Sequence, residues 1–239
     1  MLTEPGFRVG ISARIKVASS TYIANNEGLL SFDGTYWKLY PLPNKTIVRS
    51  AEIAGDNKIY AGGQDELGFF APGSNGKLAY NSLTWLIPGK DRIFGDVWDI
   101  VSFNKDIFFR SPNKIFKFTN GSFRVYNAPA EWFFMGMCNG HLYAHDVKNG
   151  LFAFENETWS PLPVRSELPS NDLITAILPI NKDSVLITTL KNGLFILSGN
   201  IITKLKTGNN SLFEKERIYA ATKINRDWIA LATNNYFLR

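Results

Sequence analysis

His141 and His145 are the pair whose type and spacing come nearest to a metal site. They lie four apart in His-Leu-Tyr-Ala-His, directly after the turn signal Asn139-Gly140, so the segment reads as a strand. At about 3.3 Å per residue the two imidazoles share a face but stand roughly 13 Å apart. One Zn²⁺ needs its donor atoms about 2 Å away, so the pair cannot chelate a single ion and no metal site is expected. Cys138 is the sole cysteine and closes the apolar run Phe133-Phe134-Met135-Gly136-Met137-Cys138. No intramolecular disulfide can form, and the thiol reads as a small buried hydrophobe rather than a nucleophile. The G-x-S-x-G elbow of a serine hydrolase is missing. Gly62-Gly63 and the Asn-Gly pairs read as hairpin glycines, because no phosphate-cradling helix follows them. The expectation is therefore no catalytic residue and no cofactor.

A second set has different chemistry. Arg49, Asp96, Trp98, Glu131, Trp132, Asp172 and Arg217 place charged groups beside aromatic ones. Charged donors and acceptors hydrogen-bond hydroxyls, and indole faces stack on apolar sugar faces, so the set suits a polar ligand such as an oligosaccharide. That requires elements that bring distant parts of the chain together.

Those elements repeat. Asn149-Gly150-Leu151-Phe152-Ala153-Phe154 is followed by Trp159, and Glu27-Gly28-Leu29-Leu30-Ser31-Phe32 by Trp37 at the same offset. Asn192-Gly193-Leu194-Phe195 and Asn113-Lys114-Ile115-Phe116 carry Ile202 and Phe123 in the aromatic slot. Six repeats centred on Gly28, Gly68, Lys114, Gly150, Gly193 and Asn235 follow one another about forty residues apart. Their apolar runs are short and bounded by Asn-Gly, Asp-Gly or Pro, which excludes a helical solenoid. The pattern predicts an all-β chain, a β-propeller of four-stranded antiparallel blades, with residues 1–239 as a single domain.

Innermost strands are expected at 47–53, 97–103, 132–138, 173–180 and 218–224, with one more near 10–17. The seven charged and aromatic residues then lie at or near the starts of inner strands, the place where a propeller presents ligand-binding groups. The glycine of each slot supplies positive φ for a two-residue hairpin. The slot aromatic fills the wedge between diverging sheets. The last repeat is incomplete: either a strand near residues 7–9 closes a six-bladed ring, or the chain is part of a seven-bladed one or of a longer array.

Composition narrows the partners. The chain has 239 residues, 45% of them hydrophobic, with 18 Phe, 9 Tyr and 6 Trp, a balance that favours strands. The net charge of +5 is spread rather than clustered. Even the basic last third is interrupted by Glu214, Glu216 and Asp227, so direct nucleic-acid contact is not expected. No apolar run is long enough to span a membrane, and the N-terminus has no signal-peptide core, which keeps a cytoplasmic location open.

The segment Ala24-Asn25-Asn26-Glu27-Gly28-Leu29-Leu30-Ser31-Phe32-Asp33-Gly34, with Trp37 and Tyr40-Pro41-Leu42-Pro43, resembles the two-component regulator propeller repeat. Gly62-Gly63-Gln64-Asp65-Glu66-Leu67-Gly68-Phe69-Phe70 and Phe94-Gly95-Asp96-Val97-Trp98 strengthen the resemblance. It is greatest to the N-terminal sensor propellers of Bacteroidetes-type hybrid two-component and triple-tyrosine helix-turn-helix regulators. The resemblance implies a ligand-sensing module in a periplasmic or extracytoplasmic location, coupled to a signalling domain that this chain does not contain. It departs from the pattern where Lys114 and Asn235 replace glycine. Two alternatives stand beside it: a protein-interaction scaffold, for example a homodimer, and a propeller lyase or hydrolase, for which the convergent acid–base cluster is missing.

Overall fold

Hairpin chemistry decides where the strands end. The computed structural model describes residues 14–17, 20–74, 76–234 and 237–238; Asn75, the Asn235 slot and the strand expected near residues 7–9 lie outside them. Contacts divide the chain into two compact units, Met1–Asn127 and Ala128–Arg239.

In the first unit, β1 (Arg14–Val17), β2 (Ser20–Asn25), β3 (Gly28–Phe32) and β4 (Trp37–Tyr40) form one sheet. The second sheet holds β5 (Ser50–Ile53), β6 (Ile59–Gly63), β7 (Glu66–Pro72) and β8 (Leu78–Ser82). The third holds β9 (Asp99–Phe103), β10 (Asp106–Arg110), β11 (Lys114–Thr119) and β12 (Ser122–Asn127). Each is an antiparallel meander in chain order, as the repeats predict.

In the second unit, β13 (Trp132–Cys138), β14 (His141–Asp146), β15 (Gly150–Glu155) and β16 (Thr158–Pro161) form the fourth sheet. The next contains a short β17 (Arg165–Ser166) and then β18 (Ile174–Asn181), β19 (Ser184–Thr189), β20 (Gly193–Ser198) and β21 (Ile201–Lys204). Here β17 lies parallel to β21, so the linker covers the outer edge of the sheet. The last sheet comprises β22 (Ile218–Lys223), β23 (Ile229–Thr233) and β24 (Phe237–Leu238), three strands among the described residues.

Burial peaks in the second strand of the second to fifth sheets. All five residues of β6 are buried, as are the last five of β14 and of β19, whereas β4 and β16 are largely exposed. The cores form between successive sheets: Ala24, Leu29, Ala61 and Phe70 in one, Leu67, Val97, Phe109 and Phe116 in the next. In the second unit Ile174, Ile187 and Phe195 pack together, and Leu186, Phe213, Ile218 and Leu231 form a further cluster. Each of the Leu, Ile, Val and Phe side chains among them contributes roughly 1.5–3 kcal/mol of burial.

Three local expectations need correction. Asn149-Gly150 and Asn192-Gly193 end three-residue loops, since Asp146 pairs with Gly150 and Thr189 with Gly193. Both glycines hold positive φ, +81° and +82°, as a turn closed by a bulge requires. Gly68 is not in a turn at all. It lies within β7, where a Cβ would meet the Asn81 carbonyl at 2.3 Å. Gly62 lies within β6 and Gly63 ends it, and both owe their identity to the close approach of neighbouring chain.

The link between the last two sheets carries a helix the repeat pattern gave no reason to expect, α1 (Asn210–Glu216). Its Phe213 is buried against Leu186, Leu194 and Ile218, so apolar packing rather than helical length stabilises this short turn.

Candidate functional site

Three of the seven charged and aromatic residues meet in the first unit. Arg49 immediately precedes β5, and its N–H donates to the Gly62 carbonyl at 2.8 Å. The segment Phe94–Trp98 runs into β9 from the other side. It is clamped by Asp65, whose Oδ1 accepts the N–H groups of Phe94 and Gly95, both at 2.7 Å. Asp96 pairs with Gln64 as an antiparallel bridge, and the Val97 N–H donates to the Gly63 carbonyl at 3.0 Å. The Ser50 hydroxyl closes the frame by donating to the Val97 carbonyl at 2.7 Å.

Glycine makes this approach feasible. A Cβ at Gly62 would lie 2.5 Å from the Val97 side chain, and one at Gly63 would lie 2.4 Å from the Ile47 carbonyl. A larger residue at Gly62 would push the Asp96–Trp98 segment away from Arg49, whereas one at Gly63 would displace the chain at Thr46 and Ile47 instead.

Within the frame, Arg49 Nη2 lies 3.2 Å from Asp96 Oδ2, and the guanidinium carbon sits 4.7 Å from the centroid of the Trp98 ring. The ion pair is net neutral, and both side chains are partly exposed, 31% and 22%. Trp98 is 39% exposed and keeps part of its ring open to solvent. Arg49 Nε and Asp96 Oδ1 are buried without a hydrogen-bond partner, a cost of about 1–3 kcal/mol for each such group. The site thus offers donors, an acceptor and an aromatic face side by side.

The other four residues are placed differently. Trp132 is 1% exposed and packs edge-on against Phe152 and tilted against Trp159, so its indole is core rather than a stacking surface. The Glu131 side chain is exposed at the start of β13, while its backbone joins the Asp146 and Val147 turn. Asp172 is 2% exposed, and its carboxylate accepts N–H groups from Leu173, Lys191 and Asn192 together with the Asn192 amide. It ties the entry of β18 to the β19–β20 turn. Arg217 is exposed at the end of α1 with φ of +57°, a backbone region that costs a non-glycine residue of order 1 kcal/mol.

Two carboxylates that the sequence reading passed over belong to the same framework. Asp65 clamps the entry to β9. Asp146 accepts the N–H groups of Ala130, Glu131, Lys148 and Asn149. Burial acts to raise the Asp146 pKa, but these hydrogen bonds together outweigh it and hold the carboxyl below its ordinary value. The signal was available in Asp-x-x-Asn-Gly, a turn whose N–H groups need an acceptor.

The histidines occupy opposite environments. His141 is exposed, and His145 is 2% exposed with Nδ1 making no hydrogen bond. Burial lowers the His145 pKa to about 4, partly opposed by Asp146 and Asp172. Among the described residues no group of three or more His, Cys, Asp or Glu side chains could hold a metal ion. Cys138 is buried, and burial pushes its thiol pKa up. No helix among the described residues is long and apolar enough to cross a membrane.

No protein-family model matches the chain, and no curated protein matches it. Solved structures do. The extracellular domain assigned to a hybrid two-component system of B. thetaiotaomicron aligns with a TM-score of 0.72 at 16% identity, over 96% of this chain and 31% of that one. A second extracellular domain so assigned in the same organism aligns with a TM-score of 0.67 at 16% identity, over 91% and 31%. Virginiamycin B lyase from Staphylococcus aureus gives 0.66 at 17% identity, over 91% and 75%. The chain therefore spans about a third of the length of the two extracellular domains. What these likenesses share with the meandering sheets is the fold, an all-β propeller with about six blades among the described residues.

Proposed function

We propose that this chain is a ligand-sensing propeller module, with residues 1–239 acting as one domain, and that it binds a neutral polyhydroxyl ligand such as a glycan fragment at Arg49, Asp96 and Trp98. The observation that carries the reading is the neutral ion pair held beside a partly exposed indole at the entrance to β5. A net-neutral pair of charged groups offers donors and an acceptor to hydroxyls without attracting free ions, and the indole face matches the C–H face of a sugar ring. Two buried polar atoms left unpaired in the same cluster cost stability, which fits a site kept for binding rather than for folding. Likeness to extracellular domains assigned to two-component systems supports a sensory role and a periplasmic or extracytoplasmic location. In this reading, binding is passed to a signalling domain outside these residues, and the module performs no chemistry itself.

Calorimetric titration with neutral oligosaccharides tests it. Binding that falls at least tenfold in both Arg49→Ala and Trp98→Ala is the expected result. No response across a broad neutral panel, or binding that both variants leave intact, overturns it.

An interaction scaffold is the second reading. Tyr36 and Trp37 are 74% and 57% exposed at the outermost strand of the first sheet, an apolar edge suited to a protein partner. Light scattering separates the two readings, since a scaffold that dimerises stays dimeric with or without saccharide.

A further inference from the structure

A cleft of about 460 Å³ opens in the first unit at the far end of β5 from Arg49. It lies between the β5–β6 hairpin and the β9–β10 and β11–β12 turns. One wall is satisfied internally: Lys58 Nζ pairs with Asp56 Oδ2 at 2.8 Å, and the Tyr60 hydroxyl donates to the same oxygen at 3.1 Å. The facing wall is open to solvent at Asn104, Lys105 and Asn120, and among the described residues the side chains of these three and of Ser102 find no hydrogen bond or ion pair within the protein. Asp106, which follows Lys105 in sequence, is committed to Lys117 at 2.9 Å, and Asp56, the carboxylate in the cleft lining, is committed to Lys58. Ile107 and Phe118 supply an apolar lining.

The second unit has a cleft at the equivalent strand positions, about 310 Å³, with Tyr143 where Tyr60 stands. There the amide of Asn139 already donates to the Asn181 and Lys182 carbonyls, and Asp183 follows Lys182. The groove therefore comes with the repeat. What sets the first unit apart is its uncommitted amides, and a lysine whose neighbouring aspartate is tied to another cation, whereas Asp183 beside Lys182 lines the second cleft itself.

We propose that the first-unit cleft binds an acidic sugar of one or two rings. Lys105 takes the carboxylate, Ser102, Asn104 and Asn120 take ring hydroxyls, and Ile107 with Phe118 take the apolar ring face. The volume falls within the ~300–1,000 Å³ of ordinary small-molecule sites. The chemistry differs from that of the Arg49 cluster, because an unpaired cation selects an anion where a neutral pair does not.

Titration calorimetry with digalacturonate and, as its neutral match, galactobiose tests the proposal on the whole chain. Lys105→Glu reverses the charge. Asn120→Gly removes an amide at a position with φ of +47° without straining the turn, so it stays informative should the charge reversal disturb folding. The expected result is digalacturonate binding that weakens roughly tenfold or more in either variant, weakens with salt, and is unchanged in Arg49→Ala; tenfold corresponds to about 1.4 kcal/mol. Galactobiose should bind this cleft far more weakly. No digalacturonate binding at about 10 mM, or binding lost in Arg49→Ala and retained in both cleft variants, overturns the proposal. The second of these outcomes would leave the Arg49 reading standing.

Discussion

Acidification from pH 7 to pH 5 should destabilise this protein through one buried imidazole. His145 is 2% exposed within β14, and its Nδ1 has no hydrogen-bond partner, so the folded state keeps the ring neutral. Burial lowers its folded pKa from 6.5 to about 4. The unfolded chain therefore binds a proton through the window between those values while the folded chain does not. Stability from this group is fully present above pH 6.5 and is lost progressively as pH falls. Linkage between the two pKa values gives a loss of about 2 kcal/mol from pH 7 to pH 5. For a chain of this size that contribution, taken alone, corresponds to a fall in Tm of roughly 4–8 °C. The lowered carboxyls of Asp33, Asp56 and Asp146 lose their contribution only near and below pH 4, the ordinary range of aspartate, so they do not confound this window. Glu52 does titrate within it and with the opposite sign: burial raises its pKa to about 6, so its protonation offsets about 0.5–1 kcal/mol of the loss in wild type and variant alike. The assay is thermal melting across pH 5–7 for the wild type and for His145→Leu, whose apolar side chain fills similar space. The variant should lose most of the acid sensitivity. An equal fall in Tm in both proteins, or an NMR titration placing folded His145 near 6.5, refutes the reasoning.

Other perturbations have distinct signatures. Glu52 has its folded pKa raised to about 6 by burial, so its contribution is favourable below about pH 4.5 and is lost as pH rises through 6. Because the group is partly exposed, solvent screening reduces this to about 0.5–1 kcal/mol, and Glu52→Gln should remove it, read as a higher Tm at pH 7.5. Gly62→Ala should destabilise by about 1–3 kcal/mol in urea melts, since its Cβ would overlap the Val97 side chain, and it should weaken saccharide binding at Arg49 at the same time. Asp172→Ala should cost about 2–4 kcal/mol in the same melts, because it leaves several turn N–H groups without their acceptor. Trp98→Ala, in contrast, should change stability by no more than about 1 kcal/mol, the scale of its contact with Arg49.

The recurring turn chemistry and short apolar runs determined the sheets from sequence alone. The strand expected at 132–138 is β13 itself, and Asn120-Gly121 and Asn139-Gly140 form the two-residue, positive-φ hairpins their types demand. These are local preferences, set within a few residues, so they can be read along the chain. Helix α1 could not be read in this way, because it is held by contacts of Phe213 with strands distant in sequence. Nor could the fate of the seven candidate residues. Trp98 and Trp132 occupy similar positions before or at an inner strand, yet one is 39% exposed beside a guanidinium and the other is sealed in the core. The difference lies in the neighbours. Gly62 lets the Phe94–Trp98 segment approach β6 closely enough to bring Asp96 and Trp98 to Arg49, while Phe152 and Trp159 close over Trp132. Sequence alone determined the repeating sheets, because turns and alternation are local. Tertiary structure alone decided which polar groups meet, because that depends on how closely two backbones from different sheets can approach.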